Sequence, residues 1–205
     1  KVCHITLEIS EELTAQRYYQ SLFSVAKRSG KYDQIVFRTD KRGRVKELLN
    51  EKVRARLTFD DPSVGRELMY RTDKWGHQFD RILIKQFPTG DLTIRELEAY
   101  LDLLEDVHNF IPDLLIVDYA DLMQVGSIKY YREALGTLYK ELRGIAVKRN
   151  IAVATASQSN REGSKSDVIT DANVAEDFSK IATADTVITY NQTIEERQHG
   201  LARLF

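Results

Sequence analysis

Two hydrophobic rhythms alternate along the chain: short apolar runs, and longer stretches in which apolar residues return every three or four positions, the signatures of strand and amphipathic helix. Val2-Cys3-His4-Ile5-Thr6-Leu7-Glu8 reads as a first strand. Ser10, with Glu11 and Glu12 at the positive end of the helix dipole, caps a helix striped by Leu13, Tyr18, Leu22, Val25 and Ala26 and stopped by Gly30. Arg81-Ile82-Leu83-Ile84-Lys85-Gln86-Phe87 alternates as a short strand, broken by Pro88-Thr89-Gly90. Thr93 with Glu96 forms a capping box and opens a helix with Ile94, Leu97, Tyr100, Leu101 and Leu104 on one face. Leu114 to Val117, bounded by Pro112 and Asp118, predicts a strand buried on both faces of a parallel sheet. A helix over about 128–149 leads to another buried strand from Ile151 to Ser157. A polar loop over about 159–170, a helix over about 172–182 and a strand from Asp185 to Tyr190 follow. Residues 31 to about 80 are charge-rich with short helical patterns at Val45 to Leu49 and Arg66 to Tyr70, and predict a helical insertion. Strands alternating with helices predict an α/β fold, a three-layer α/β/α arrangement around a mostly parallel sheet.

The length of 205 residues fits a single domain over 1–205. Thirty basic against 31 acidic residues leave no global field, so any nucleic-acid contact has to come from a local patch. The single cysteine, Cys3, excludes an intrachain disulfide framework and fits a reducing compartment. The histidines, His4, His77, His108 and His199, lack metal-ligand spacing. With no apolar run approaching 18 residues and no charged-then-apolar leader, the expectation is a cytosolic protein with no membrane contact. The chain opens on a strand in progress and ends as abruptly at Leu201-Ala202-Arg203-Leu204-Phe205, so a fragment of a longer protein is expected.

Three strands end in polar groups that phosphate chemistry uses: Glu8, Asp118 and Gln158. Parallel strands bring those ends to one edge of the sheet, where open α/β proteins bind ligands. A carboxylate there holds Mg²⁺ through water, a glutamate orients and helps deprotonate an attacking water, and a glutamine amide senses the γ-phosphate.

Thr6-Leu7-Glu8-Ile9-Ser10, the run from Asp113 to Met123, and Ala156-Ser157-Gln158-Ser159-Asn160-Arg161 resemble three successive motifs of the RecA-like ATPase domain of DnaB-type replicative helicases, in order and approximate spacing. Phe87-Pro88-Thr89-Gly90 and the capped helix after it resemble the segment before the metal-binding strand in phage-type members. The resemblance spans nearly the whole chain. It implies that Glu8 is the catalytic glutamate, Asp118 the Walker B aspartate linked to Mg²⁺ through water, and Gln158 the γ-phosphate sensor. It further implies a nucleic-acid surface at Arg161, Lys165, Asn173 and Lys180, ATP and Mg²⁺ as cofactors, single-stranded DNA as partner, and a homo-hexameric ring. Primase and a helicase loader are among the partners it brings in. The location implied is the bacterial cytosol or, for a phage protein, that of the host. The function implied is a 5'-3'-type replicative DNA helicase core coupling NTP hydrolysis to translocation.

The sequence departs from the family pattern in two places. No GxxxxGK[ST] occurs; in Ser29-Gly30-Lys31-Tyr32, Val25 stands where the first glycine belongs and Tyr32 where the magnesium-binding hydroxyl belongs. The P-loop is therefore expected upstream of Lys1, and the terminal arginine segment beyond Phe205, with Arg203 as the candidate intersubunit residue within the chain. An isolated 205-residue piece is then expected to hydrolyse little ATP. The stretch Asp171 to Lys180, where the strand-tracking loop belongs, is net acidic and lacks arginine and glycine. Two other readings stand beside the helicase core: a degenerate RecA-like scaffold or nucleic-acid adaptor without ATPase activity, and another RecA-like ring ATPase.

Overall fold

The computed structural model describes residues 1–75, 81–126, 131–158, 178–198 and 200–205. In chain order the elements are β1 (Val2–Thr6), α1 (Glu11–Phe23), β2 (Lys31–Thr39), β3 (Val45–Arg54), α2 (Val64–Trp75), β4 (Ile82–Gln86), α3 (Ile94–Asp106), β5 (Leu114–Asp118), α4 (Tyr131–Arg149), β6 (Ala152–Thr155), α5 (Phe178–Thr183), β7 (Tyr190–Asn191), α6 (Ile194–Gln198) and β8 (Arg203–Leu204). A 3-10 turn, Ala120–Leu122, follows β5. The chain divides into two compact units, one of Lys1–Gln16 with Trp75–Val187, the other of Arg17–Lys74 with Ile188–Phe205.

The first unit is built on a four-stranded sheet in the order β4-β1-β5-β6, parallel throughout. Cys3 pairs with Leu115 and Ile5 with Val117, and all four are fully buried. Their neighbours His4 and Ile116 are only partly buried. The sheet therefore carries its core on one face, and β5 alternates where the apolar run predicted burial on both faces. That face is covered by Leu97, Leu101 and Leu104 of α3 and by Leu135, Leu138, Leu142 and Ile145 of α4. Burial also pushes the Cys3 thiol up to about 12, so the one cysteine is a core residue.

Helix α3 begins as the capping box predicts: Thr93 Oγ1 accepts from the Glu96 backbone, and the Glu96 carboxylate accepts from the Thr93 amide at 2.8 Å. Polar side chains tie α3 to α4, Arg149 pairing with Asp102 and Glu105 and Lys148 with Glu98. The strand expected from Ile151 to Ser157 is shorter and more exposed, β6 being the edge of the described sheet. Of the expected strand from Asp185 to Tyr190 only Tyr190 is in a ladder, antiparallel to β8.

In the second unit the expected helical insertion is corrected. Residues 31–54 form an antiparallel hairpin that pairs Phe37 with Leu48 and Val36 with Leu49. Val45, Leu48 and Leu49 recur at helical spacing, but the partner segment Tyr32, Ile35, Val36 and Phe37 is aromatic and β-branched and supplies a matching strand. The turn is chemically specified. Asp40 Oδ1 accepts from the amides of Arg42 (2.8 Å) and Arg44 (3.0 Å), and Gly43 takes φ +77°. The helical pattern at Arg66 to Tyr70 does lie in a helix, α2. Helix α1 stops at Phe23, with Ser24 at φ 54°, well before the Gly30 expected to end it.

Candidate functional site

Strand register sets the site. Thr6, the last residue of β1, pairs with Asp118, the last of β5, and the Leu7 amide donates to the Asp118 carbonyl at 3.0 Å. Glu8 follows directly and is exposed. Its turn is pinned from both sides: Thr6 Oγ1 donates to the Ile9 carbonyl at 2.8 Å and Thr89 Oγ1 donates to the Leu7 carbonyl. The two carboxylates thus leave one edge of the sheet from neighbouring strands. The Asp118 carboxylate is 34 % exposed, 4.0 Å from His4 Nε2. Burial lowers the His4 pKa, and the negative charge of Asp118 works against that shift.

The third strand end joins them through side chains. Thr155 Oγ1 donates to the Val117 carbonyl at 2.8 Å and accepts from the Ala120 amide at 2.9 Å, clamping the end of β6 to the end of β5. Three residues on, Gln158 Nε2 donates to the Tyr119 hydroxyl at 3.0 Å. The Tyr119 phenol is raised by burial first, then by the carboxylates of Glu8, Asp121 and Asp118. Glu8, Asp118 and Gln158 are therefore grouped around Tyr119, a residue to which the sequence assigned no role. Its position directly after Asp118 was the available signal.

A second group lies beside them. Asp121 accepts from Tyr139 Oη at 2.8 Å, Ser157 Oγ at 3.2 Å and Lys180 Nζ at 2.7 Å. Lys180, expected at the nucleic-acid surface, is 3 % exposed and faces this carboxylate instead of solvent. Arg203, the intersubunit candidate, pairs with Glu196 of its own chain at 2.8 Å. Arg161, Lys165 and Asn173 lie outside the described residues, as do His77 and His199.

The donors fit a hydrated Mg²⁺. Hard carboxylate oxygens stand partly exposed at a sheet edge, and this metal binds through one or two carboxylates while keeping waters and phosphates as its other ligands. Among the described residues no three His, Cys, Asp or Glu side chains form a closed metal cage. No described helix is long and apolar enough to cross a membrane.

No family model matches the chain. A DnaB-like replicative helicase of Enterobacteria phage T4 is 30% identical over a match of 131 positions that covers 61% of this chain and 28% of that protein. The chain thus spans little more than a quarter of the length of that relative. The fold is shared with two solved structures. One, described as an ATPase domain, superposes with TM-score 0.63 over 96% of this chain and 60% of that one, at 12% identity. The other, a DnaB-like replicative helicase described with its interactions with primase, superposes with TM-score 0.64 over 96% of this chain and 41% of that one, at 11% identity.

Proposed function

The chain resembles the RecA-like ATPase domain of DnaB-type replicative helicases, and on that premise we propose that it is the catalytic core of an ATP-driven DNA helicase. One observation supports the chemistry above all others: Glu8, Asp118 and Gln158 stand together at the carboxyl edge of a parallel sheet, around Tyr119. Glu8, exposed on a pinned turn, is placed to orient an attacking water and accept its proton. Asp118 would hold the water shell of a bound Mg²⁺, and the Gln158 amide, hydrogen-bonded to Tyr119, would sense the terminal phosphate. Mg²⁺, when bound, would neutralise charge developing on the phosphate oxygens.

The complete protein, in this reading, is a hexameric ring that moves 5'-3' along single-stranded DNA, with primase or a loader as partner. Arg161, Lys165 and Asn173 are the candidate DNA contacts. An intersubunit role for Arg203 requires it to exchange Glu196 for a neighbour's phosphate. The alternative is a scaffold or adaptor without ATPase activity.

The test is ATP hydrolysis by the full-length protein with and without single-stranded DNA, beside Asp118→Ala. Stimulation by DNA that Asp118→Ala abolishes supports the motor. No hydrolysis by the full-length protein leaves the scaffold as the better account. The 205-residue chain alone is expected to turn over little ATP.

A further inference from the structure

Next to the strand ends, the described residues form a polar cluster around the buried Lys180 that the proposed chemistry does not use. Its centre is Asp121, in the 3-10 turn after β5, which binds Tyr139 of α4, Ser157 beyond β6 and Lys180 of α5. Lys180 Nζ also lies 3.4 Å from Ser157 Oγ and 5.5 Å from the centroid of the Tyr139 ring. Among the described residues Lys180 is the one charged side chain that is buried. Burying an ion pair adds little net stability, because desolvation offsets the attraction. The cluster is better explained by what it holds in place.

What it holds is the pair of segments that carry the site. Ser157 directly precedes Gln158, and Asp121 lies two residues beyond Tyr119. The side chains of Gln158 and Tyr119 are themselves hydrogen-bonded at 3.0 Å. We propose that Lys180 is a positioning residue for the ATPase: its ammonium fixes Asp121 and Ser157, and through them the Tyr119–Gln158 pair beside Asp118. The inference rests on the strand ends being a nucleotide site. It assigns Lys180 an internal task in place of the expected DNA contact, because an ammonium 2.7 Å from a carboxylate and 3 % exposed is not presented to a passing strand.

The experiment compares full-length wild type with Lys180→Met, Lys180→Arg, Asp121→Asn and the double variant Lys180→Met/Asp121→Asn. Steady-state ATP hydrolysis is measured, and nucleotide-binding stoichiometry on the same samples counts folded sites. Lys180→Met is expected to lower kcat about tenfold or more, the scale on which small misplacements act. The KM for ATP should stay within about twofold and the stoichiometry unchanged, the pattern of a lost transition-state interaction. Lys180→Arg should recover most of the rate, and the double variant should be no slower than Lys180→Met, since both act through one pair. If Lys180→Met does not fold, the neutral double variant carries the same readouts. Unchanged kcat, or a kcat that falls only in proportion to stoichiometry, overturns the proposal. An active wild type with fully active variants removes this inference alone; a wild type that hydrolyses no ATP removes the nucleotide reading and this inference with it.

Discussion

The two compact units use β-structure in opposite ways. In the first, strands far apart in sequence pair in parallel, and Cys3, Ile5, Leu115 and Val117 are buried under two helices. In the second, two strands adjacent in sequence pair across a short turn, and Phe37, Val45 and Leu48 remain about half exposed or more, at 56%, 56% and 48%. Burial on one face specifies the register of the sheet, because a one-residue slip would carry its apolar set into water. The hairpin has little such penalty and relies on its turn: Asp40 gathers two backbone amides, and the backbone donation from Arg44 first of all holds its carboxyl below the usual range. Glu8, Asp118 and Gln158, the candidate site residues, are thus carried by the unit whose register is fixed by burial.

That contrast can be broken most severely at Leu115. Leu115→Ala removes a fully buried side chain from the sheet, and should cost about 2–5 kcal/mol in urea unfolding. Thr93→Ala, which removes the hydroxyl that accepts from the Glu96 amide while leaving the Thr93 amide to Glu96, should cost about 1 kcal/mol. Phe37→Ala, on the exposed hairpin face, should stay within about 0.5 kcal/mol. A Phe37 loss as large as that at Leu115 would mean that the hairpin is held by burial after all.

The smallest effect is local and depends on pH. Asp60 accepts from the Ser29 amide at 2.8 Å and the Ser29 hydroxyl at 2.9 Å, and its pKa falls from 3.8 to about 2, the amide bond being the largest cause. A depressed carboxyl stabilises the folded form above its unfolded value and loses that contribution as pH falls through the folded one. The Ser29 amide resonance should therefore titrate with a midpoint near about 2; a midpoint at 3.8 would show that the bond is not kept in solution.

Much of the first unit was legible in the sequence. Its strands are apolar runs, its α3 start is written in Thr93 and Glu96, and parallel pairing then puts the ends of β1, β5 and β6 on one edge. The hairpin was not, since Val45, Leu48 and Leu49 recur at helical spacing and only the cross-strand partners decide for the strand. Nor was the cluster at Asp121. Its members come from four separate segments, and a lysine is assigned to the surface by default because it is almost never buried unless paired. The family resemblance of the segment before it places Lys180 at a DNA surface, and the sequence assigns Asp121 no role.

The central claim is that the ends of β1 and β5 form a nucleotide-hydrolysing site, and Glu8→Gln in the full-length protein tests it most directly. The amide keeps the size and shape of the glutamate but replaces one acceptor oxygen with a donor and cannot accept the water's proton. ATP affinity and hydrolysis measured on one sample should show affinity within about threefold of wild type and kcat reduced about 100-fold or more. Full hydrolysis, or loss of ATP binding together with hydrolysis, would contradict the account and leave Glu8 a structural residue.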